Sequence, residues 1–267
     1  MTLQTLNIWA GRVYEALLEH VKAQARSVDI FCFQEVYNSQ ELIYTRGEVW
    51  DGGLGLSQAH RSRANIYQEL ERTLPEFHAI YHAAQSYTDH LGHTEDHLEY
   101  GLATFTKHSV PVQEVGEVFV HRTRDSIEGN DFSTLPRNIQ YLRLPYHRKL
   151  LTIVNFHGLW NGQGKGDAPA RLVQSKKLRE FMESCPGPVI VCGDFNLLPD
   201  TESFQIIADG MRNLVDEYHV HSTRSNFYQK PVKLADYILV SPEIEVRDFR
   251  VLGVEVSDHL PLVLEFR

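Results

Sequence analysis

Four apolar runs in this chain end on an acid or an amide, and that limits what the chain can fold into. Asn7 lies in Leu3-Gln4-Thr5-Leu6-Asn7-Ile8-Trp9, and Glu35 ends Asp29-Ile30-Phe31-Cys32-Phe33-Gln34-Glu35. Asp194 and Asn196 end Pro188-Val189-Ile190-Val191-Cys192-Gly193-Asp194-Phe195-Asn196, and Asp258 and His259 split two apolar runs near the C-terminus. Burying such groups without partners costs about 2–7 kcal/mol each. A shared cation would remove that cost.

The order of elements narrows the architecture. Residues 3–9 read as a strand, 12–25 as a helix with Val13, Ala16, Leu17, His20 and Val21 on one face, and 30–34 as a strand. A long loop over 36–60, rich in glycine and aromatics including Tyr44 and Trp50, precedes a helix over 61–73. Strands then follow over 77–83, 101–106, 112–120, 139–144 and 150–156. A loop over 158–167 leads to a helix over 168–184, with Asp167 as a candidate N-cap and Pro169 in its first turn. A strand over 189–192 precedes a short helix capped by Asp200 or Thr201, and strands over 237–240, 246–252 and 260–266 finish the chain. Alternation early and successive strands later argue for mixed sheets with helices outside, in a single domain over 1–267.

Composition sets further bounds. No apolar run approaches the ~18 residues of a membrane helix, so no stable membrane insertion is expected. Three cysteines, Cys32, Cys185 and Cys192, are an odd and sparse count that suits a reducing compartment, hence a cytoplasmic location. The net charge is −9, so contact with nucleic acid must be local. One candidate is His121-Arg122-Thr123-Arg124 with Arg137, Arg143 and His147-Arg148-Lys149; a solvated surface is the alternative. Lys165 and Arg171 could bind phosphate, though a helix face and a loop explain them equally well. His90, His93 and His97 with Glu95 and Asp96 fit no standard zinc spacing.

Carboxylates and amides are hard oxygen donors of the kind Mg²⁺ or Mn²⁺ prefers. His157 and His259 follow apolar runs in the same manner, and Asp236 in Leu234-Ala235-Asp236-Tyr237-Ile238 could fix one ring's tautomer. Together these groups suit attack of water on a phosphoester.

The runs Leu6-Asn7-Ile8-Trp9, Phe33-Gln34-Glu35-Val36, Gly101-Leu102-Ala103-Thr104-Phe105, Val154-Asn155-Phe156-His157, Gly193-Asp194-Phe195-Asn196, Ala235-Asp236-Tyr237-Ile238 and Ser257-Asp258-His259 resemble, in order, the endonuclease/exonuclease/phosphatase superfamily. The resemblance implies an α/β four-layer sandwich of two mixed β-sheets packed face to face and flanked by helices. It implies Glu35 as the main metal ligand with Asn7 and Asp258 beside it, and Asp194 as the group that positions and activates water. Asn196 would orient that aspartate or the phosphate, and His259 would contact the phosphate with Asp236 behind it. His157 matches a second histidine, and Glu99 falls where deoxyribonuclease-like members keep an acid paired to it. The chain reads His157-Gly158-Leu159-Trp160 where apurinic-site nucleases place a tyrosine and an asparagine, which argues against an abasic-site role. The implied activity is metal-dependent phosphodiester hydrolysis, with nucleic acid the leading substrate class. A phospholipid or small phosphoester is the alternative substrate, and a non-catalytic binding protein the alternative class.

Overall fold

Strand β2 (Ile30–Asn38) alternates two apolar sets: Ile30 and Cys32 face one way, Phe31 and Phe33 the other, and all four are fully buried. A strand buried on both faces needs a layer on each side. In the computed structural model, which describes residues 1–39, 62–88, 97–124 and 134–267, both layers are present. Tyr44, Trp50, His90, His93, Glu95, Asp96 and the side chain of His97 lie outside the described residues.

Two mixed six-stranded sheets form the core. The first comprises β1 (Thr2–Asn7), β2, β3 (Phe77–Thr88), β4 (His97–Lys107), β11 (Val246–Val251) and β12 (Leu262–Phe266), in the order β11-β12-β1-β2-β4-β3. The second comprises β5 (Glu114–His121), β6 (Arg137–Tyr146), β7 (Lys149–His157), β8 (Val189–Asp194), β9 (Arg212–Asn213) and β10 (Asp236–Val240), in the order β5-β6-β7-β8-β10-β9. β1 runs parallel to β2 and β7 parallel to β8; the remaining neighbours are antiparallel.

Leu3, Ile30, Cys32, Leu262 and Leu264 of the first sheet share one core with Ile153, Ile190, Cys192 and Ile238 of the second. On the far side of the first sheet, Phe31, Phe33 and Phe105 meet Leu17 and Val21 of α1 (Tyr14–Gln24) and Ile66 and Leu70 of α2 (Ile66–Thr73). On the far side of the second sheet, Phe181 of α3 (Pro169–Glu183) stacks against Tyr141, and Phe204 of α4 (Glu202–Ala208) against Tyr237. This is the expected four-layer sandwich. A short α5 (Leu214–Glu217), a 3₁₀ turn at Trp9–Gly11 and β9 were not legible in the sequence pattern.

A polar ladder crosses the interior between the sheets. Gln34 Nε2 donates to Asn155 Oδ1 at 2.7 Å and to Thr5 Oγ1 at 3.0 Å. Asn155 Nδ2 donates back to Phe33 O at 3.1 Å, and Thr104 Oγ1 donates to Gln140 Oε1 at 2.6 Å.

Capping differs from expectation at one helix. The residue before α3 is Ala168, and Asp167 instead accepts from Glu202 N, Ser203 N and Ser203 Oγ, bracing the start of α4. Thr201 Oγ1 accepts from Phe204 N, so Thr201 is the α4 cap.

Candidate active site

Cross-strand register assembles half of the site. His157 ends β7 and faces Asp194, the last residue of β8, in parallel register; Asp236, the first residue of β10, faces Asp194 from the other side. Gly193 makes that approach possible. Its φ is +135°, and a Cβ there would lie 2.0 Å from Phe156 O. The first sheet supplies the opposing half. A bulge between Phe33 and Val36 puts Glu35 at φ +58°, which turns its side chain out of the strand alternation.

Asp194 is the hub. Asn7 Nδ2 donates to its Oδ2 at 3.1 Å, and Asn196 N donates to its Oδ1 at 2.9 Å. His259 Nε2, Arg224 NH2 and His157 Nε2 lie 3.6, 3.8 and 3.9 Å from the same Oδ2. Burial opposes ionisation of Asp194, but the positive charges of His259, Arg224 and Lys165 outweigh it and hold the carboxyl well below the usual range.

The two histidines are driven apart. His259 Nδ1 pairs with Asp236 Oδ1 at 2.7 Å, and Thr223 Oγ1 donates to Asp236 Oδ2 at 2.7 Å. Burial and Arg224 pull the pKa of His259 down, but Asp236, Asp258 and Asp194 more than reverse this, so the net shift is upward. Burial and the neighbouring Arg137 push His157 down to about 3, so its ring is neutral at pH 7. Opposed shifts in one site favour the protonated form of His259 and the neutral form of His157.

Asn7, expected as a metal ligand, turns its amide nitrogen toward the carboxylates. Its Oδ1 accepts from Trp9 N at 3.0 Å, which leaves Nδ2 toward Glu35 Oε1 (3.0 Å) and Asp194. A backbone N–H can only donate, so the amide orientation is fixed by that bond. Glu99 is not brought against His157. It accepts from Asn38 Nδ2 at 2.8 Å, and among the described residues the carboxylates within 4.0 Å of His157 are Glu35 and Asp194. Asn196 adopts φ +52° and its Nδ2 donates to Gly158 O.

The basic stretch does not form one face. Arg124 pairs with Glu117 and Arg143 with Glu114, Arg137 is buried against Gly158 O and Pro136 O, and residues 147–149 turn at the end of β7 opposite His157. Sequence reasoning missed Arg224. Its NH1 pairs with Asp258 Oδ2 at 2.8 Å, and its guanidinium lies 4.3 Å from the Tyr228 ring centroid. The bridge between Arg224 and His259 folds this loop over the site.

The donor set fits a hard divalent cation. Glu35, Asp194, Asp236 and Asp258 gather beside Arg224 and Lys165, and burial together with Asp258 and Asp194 raises the Glu35 pKa. Burial first, and the neighbouring acids after it, make the Glu35 charge costly, and a bound cation would offset that cost. Donor atoms of Asp194, Asp236 and His259 lie within 4.8 Å of one another. Asp236 and His259 are already spent on each other and on Thr223, however. Glu35 and Asp258 keep the freer oxygens: Glu35 Oε2 has no hydrogen bond among the described residues, and Asp258 Oδ1 has only a 3.5 Å contact from Ser257 Oγ and the His259 ring at 3.7 Å.

Two mixed sheets thus meet at a buried cluster of carboxylates and histidines. The chain matches the Endonuclease/Exonuclease/phosphatase family over residues 5–259, and it belongs to that family, whose members hydrolyse phosphoester bonds. Solved structures agree on the fold. A family protein from Leptotrichia buccalis superposes with TM-score 0.69 at 15% identity, covering 100% of this chain and 99% of that one. The mannosyl-6-phosphatase of Bacteroides thetaiotaomicron gives 0.64 at 17%, with 100% and 99% covered. D. rerio TDP2 complexed with a single-strand DNA product gives 0.65 at 14%, with 100% and 98% covered. A sequence comparison with curated proteins returns no match. No helix among the described residues is long and apolar enough to cross a membrane.

Proposed function

We propose that this chain is a divalent-metal-dependent phosphodiesterase acting on nucleic acid. The observation that carries the reading is the convergence of Asn7, His259, Arg224 and His157 on Asp194 Oδ2. Asp194 aligns the attacking water through this fixed carboxylate, and its low basicity suits alignment more than proton removal. His259, held by Asp236, presents Nε2 as a donor to a phosphoryl oxygen. His157 stays neutral beside Glu35 and Asp194, and Asn196 holds the turn after β8. Glu35 and Asp258 would hold Mg²⁺ or Mn²⁺, with Asn7 orienting Glu35. When bound, such an ion would supply neutralisation of charge on the phosphoryl and leaving oxygens.

A second reading, hydrolysis of a small phosphomonoester, is favoured by the whole-chain likeness to the mannosyl-6-phosphatase. One panel separates the two: single- and double-stranded DNA, RNA, a phosphoinositide, sugar phosphates and a chromogenic bis-ester, each with Mg²⁺ or Mn²⁺. Wild-type protein should cleave oligonucleotides, and Asp194→Ala should lose at least about a hundredfold in kcat. Unchanged turnover in that variant would sink the mechanism.

A further inference from the structure

Lys165 stands in the loop between β7 and α3, within Asn161-Gly162-Gln163-Gly164-Lys165-Gly166-Asp167, and is only 8% exposed. Arg171 binds the loop on both sides of it. Its guanidinium donates to Gly164 O at 2.7 Å, to Gly166 O at 2.5 Å and to Leu159 O at 3.1 Å. Three of the five Arg171 N–H donors, one from each nitrogen, are thus committed to backbone carbonyls. Lys165 O accepts from Leu198 N, two residues beyond Asn196, and Lys165 Nζ donates to Leu234 O, two residues before Asp236. The ammonium shares the Tyr228 ring with Arg224, 5.4 Å from its centroid. The lysine is therefore pinned between the turn that follows Asp194 and the strand that carries Asp236.

An ammonium has three donors. Leu234 O takes one, and no carboxylate forms an ion pair with Lys165 among the described residues. The charges around it are Arg224, Asp194, Asp236 and Asp258, and burial brings its pKa down to about 8. Arg224, by contrast, is neutralised by Asp258 at 2.8 Å. A nearly buried cation with spare donors, held rigidly beside a phosphoester site, is costly unless an anion completes it. A cation in the site would repel it, which leaves a tetrahedral oxyanion as the matching ligand.

We propose that Lys165 is a phosphate-binding residue, its spare N–H donors holding a non-bridging phosphoryl oxygen. This rests on the phosphoester reading above, and it assigns one half of the phosphate's grip to this chain's own loop.

The test is calorimetric titration of inorganic phosphate into the full chain with saturating Mg²⁺, for wild type, K165M and K165R, with thermal melts of each. K165M should weaken phosphate binding roughly ten- to hundredfold, the weight of one or two charge-assisted hydrogen bonds. K165R should retain most of it. K165M should melt close to the wild-type temperature, because the desolvated charge it removes offsets the lost bond to Leu234 O. Wild-type phosphate affinity in K165M would overturn the proposal, as would no phosphate binding by wild type. A K165M that loses binding together with several degrees of melting temperature would make the lysine structural and overturn it as well. Lysine-dependent phosphate binding in a wild-type protein that hydrolyses nothing in the panel would leave the site standing and remove the hydrolase reading.

Discussion

Asn155 makes a demanding test because it binds one sheet to the other without touching the site's reacting groups. It is 1% exposed, accepts from Gln34 Nε2 at 2.7 Å, and donates to Phe33 O, Ala103 O and Thr104 Oγ1 at 3.1, 3.3 and 3.4 Å. Asn155→Leu keeps the approximate volume and removes all four. With about 1 kcal/mol net for each of the two shorter bonds and half that for each longer one, the loss is about 3 kcal/mol. Gln34 Nε2 keeps Thr5 Oγ1 and Cys32 O, so no further donor is orphaned. For a domain of this size about 3 kcal/mol is a fall of roughly 6–12 °C in melting temperature. Thr152 supplies the control on the same strand: it is fully buried and its Oγ1 has no hydrogen-bond partner among the described residues. Thr152→Val should be neutral or stabilising by about 1 kcal/mol, since it removes an unsatisfied hydroxyl. Equilibrium urea unfolding followed by circular dichroism measures both. Equal midpoints for the two variants would refute the account of the inter-sheet ladder.

Gly193→Ala places a Cβ 2.0 Å from Phe156 O at φ +135° and should cost more than about 4 kcal/mol, visible as loss of soluble protein. Gly162→Ala, with φ +76° and open space around it, should cost only about 1–2 kcal/mol; similar yields and urea midpoints would refute the contrast. Arg224→Met breaks a buried pair and should destabilise by about 3–5 kcal/mol, with Mn²⁺ restoring part of it because Asp258 and Asp194 have lost their cation. Identical melting curves with and without Mn²⁺ in that variant would count against the charge balance argued for the site. Asp236→Asn removes a carboxylate that raises the His259 pKa. A raised imidazole keeps its proton up to a higher pH and loses it as pH rises, so the alkaline limb of kcat that needs the imidazolium should move to lower pH. Turnover should also fall by roughly 10²–10⁴; an unmoved limb would exclude His259 as the donor.

What the sequence could and could not reveal follows from which groups act locally. Asp194 and His157 were readable because each ends an apolar run, and Asp236 because it opens one; strand pairing then places them side by side. The two sheets were readable for the same reason, through two-residue alternation and element order. Arg224 was not, because it sits in an aperiodic loop and acts through a partner 34 residues away. Asp167 adjoins α3 yet braces α4, 35 residues on, which adjacency alone cannot suggest. Glu99 depended on register: it pairs with Asn38 beyond the β2 bulge, which shifts the pairing relative to Phe33 and Ala103. Lys165 and Arg171 looked alike as loop and helix cations, and only the three carbonyls around Arg171 separate them.

The inter-sheet ladder and the site are linked by geometry. Asn7, Glu35, Asp258 and His259 come from the first sheet and its flanking loop, while His157, Asp194 and Asp236 come from the second. The distances between the two groups, 2.7 Å for His259 to Asp236, 3.1 Å for Asn7 to Asp194, 3.6 Å for His259 to Asp194 and 3.8 Å for His157 to Glu35, exist only while the two sheets hold one relative position. Apolar side chains pack over a range of small displacements, whereas a hydrogen bond weakens steeply as its geometry opens. Gln34 stands next to Glu35 and Asn155 two residues before His157, so the bond between them fixes the sheets within one or two residues of the reacting groups. A sandwich held by Leu, Ile and Phe alone would fold. The buried amides make the fold hold its two half-sites in register.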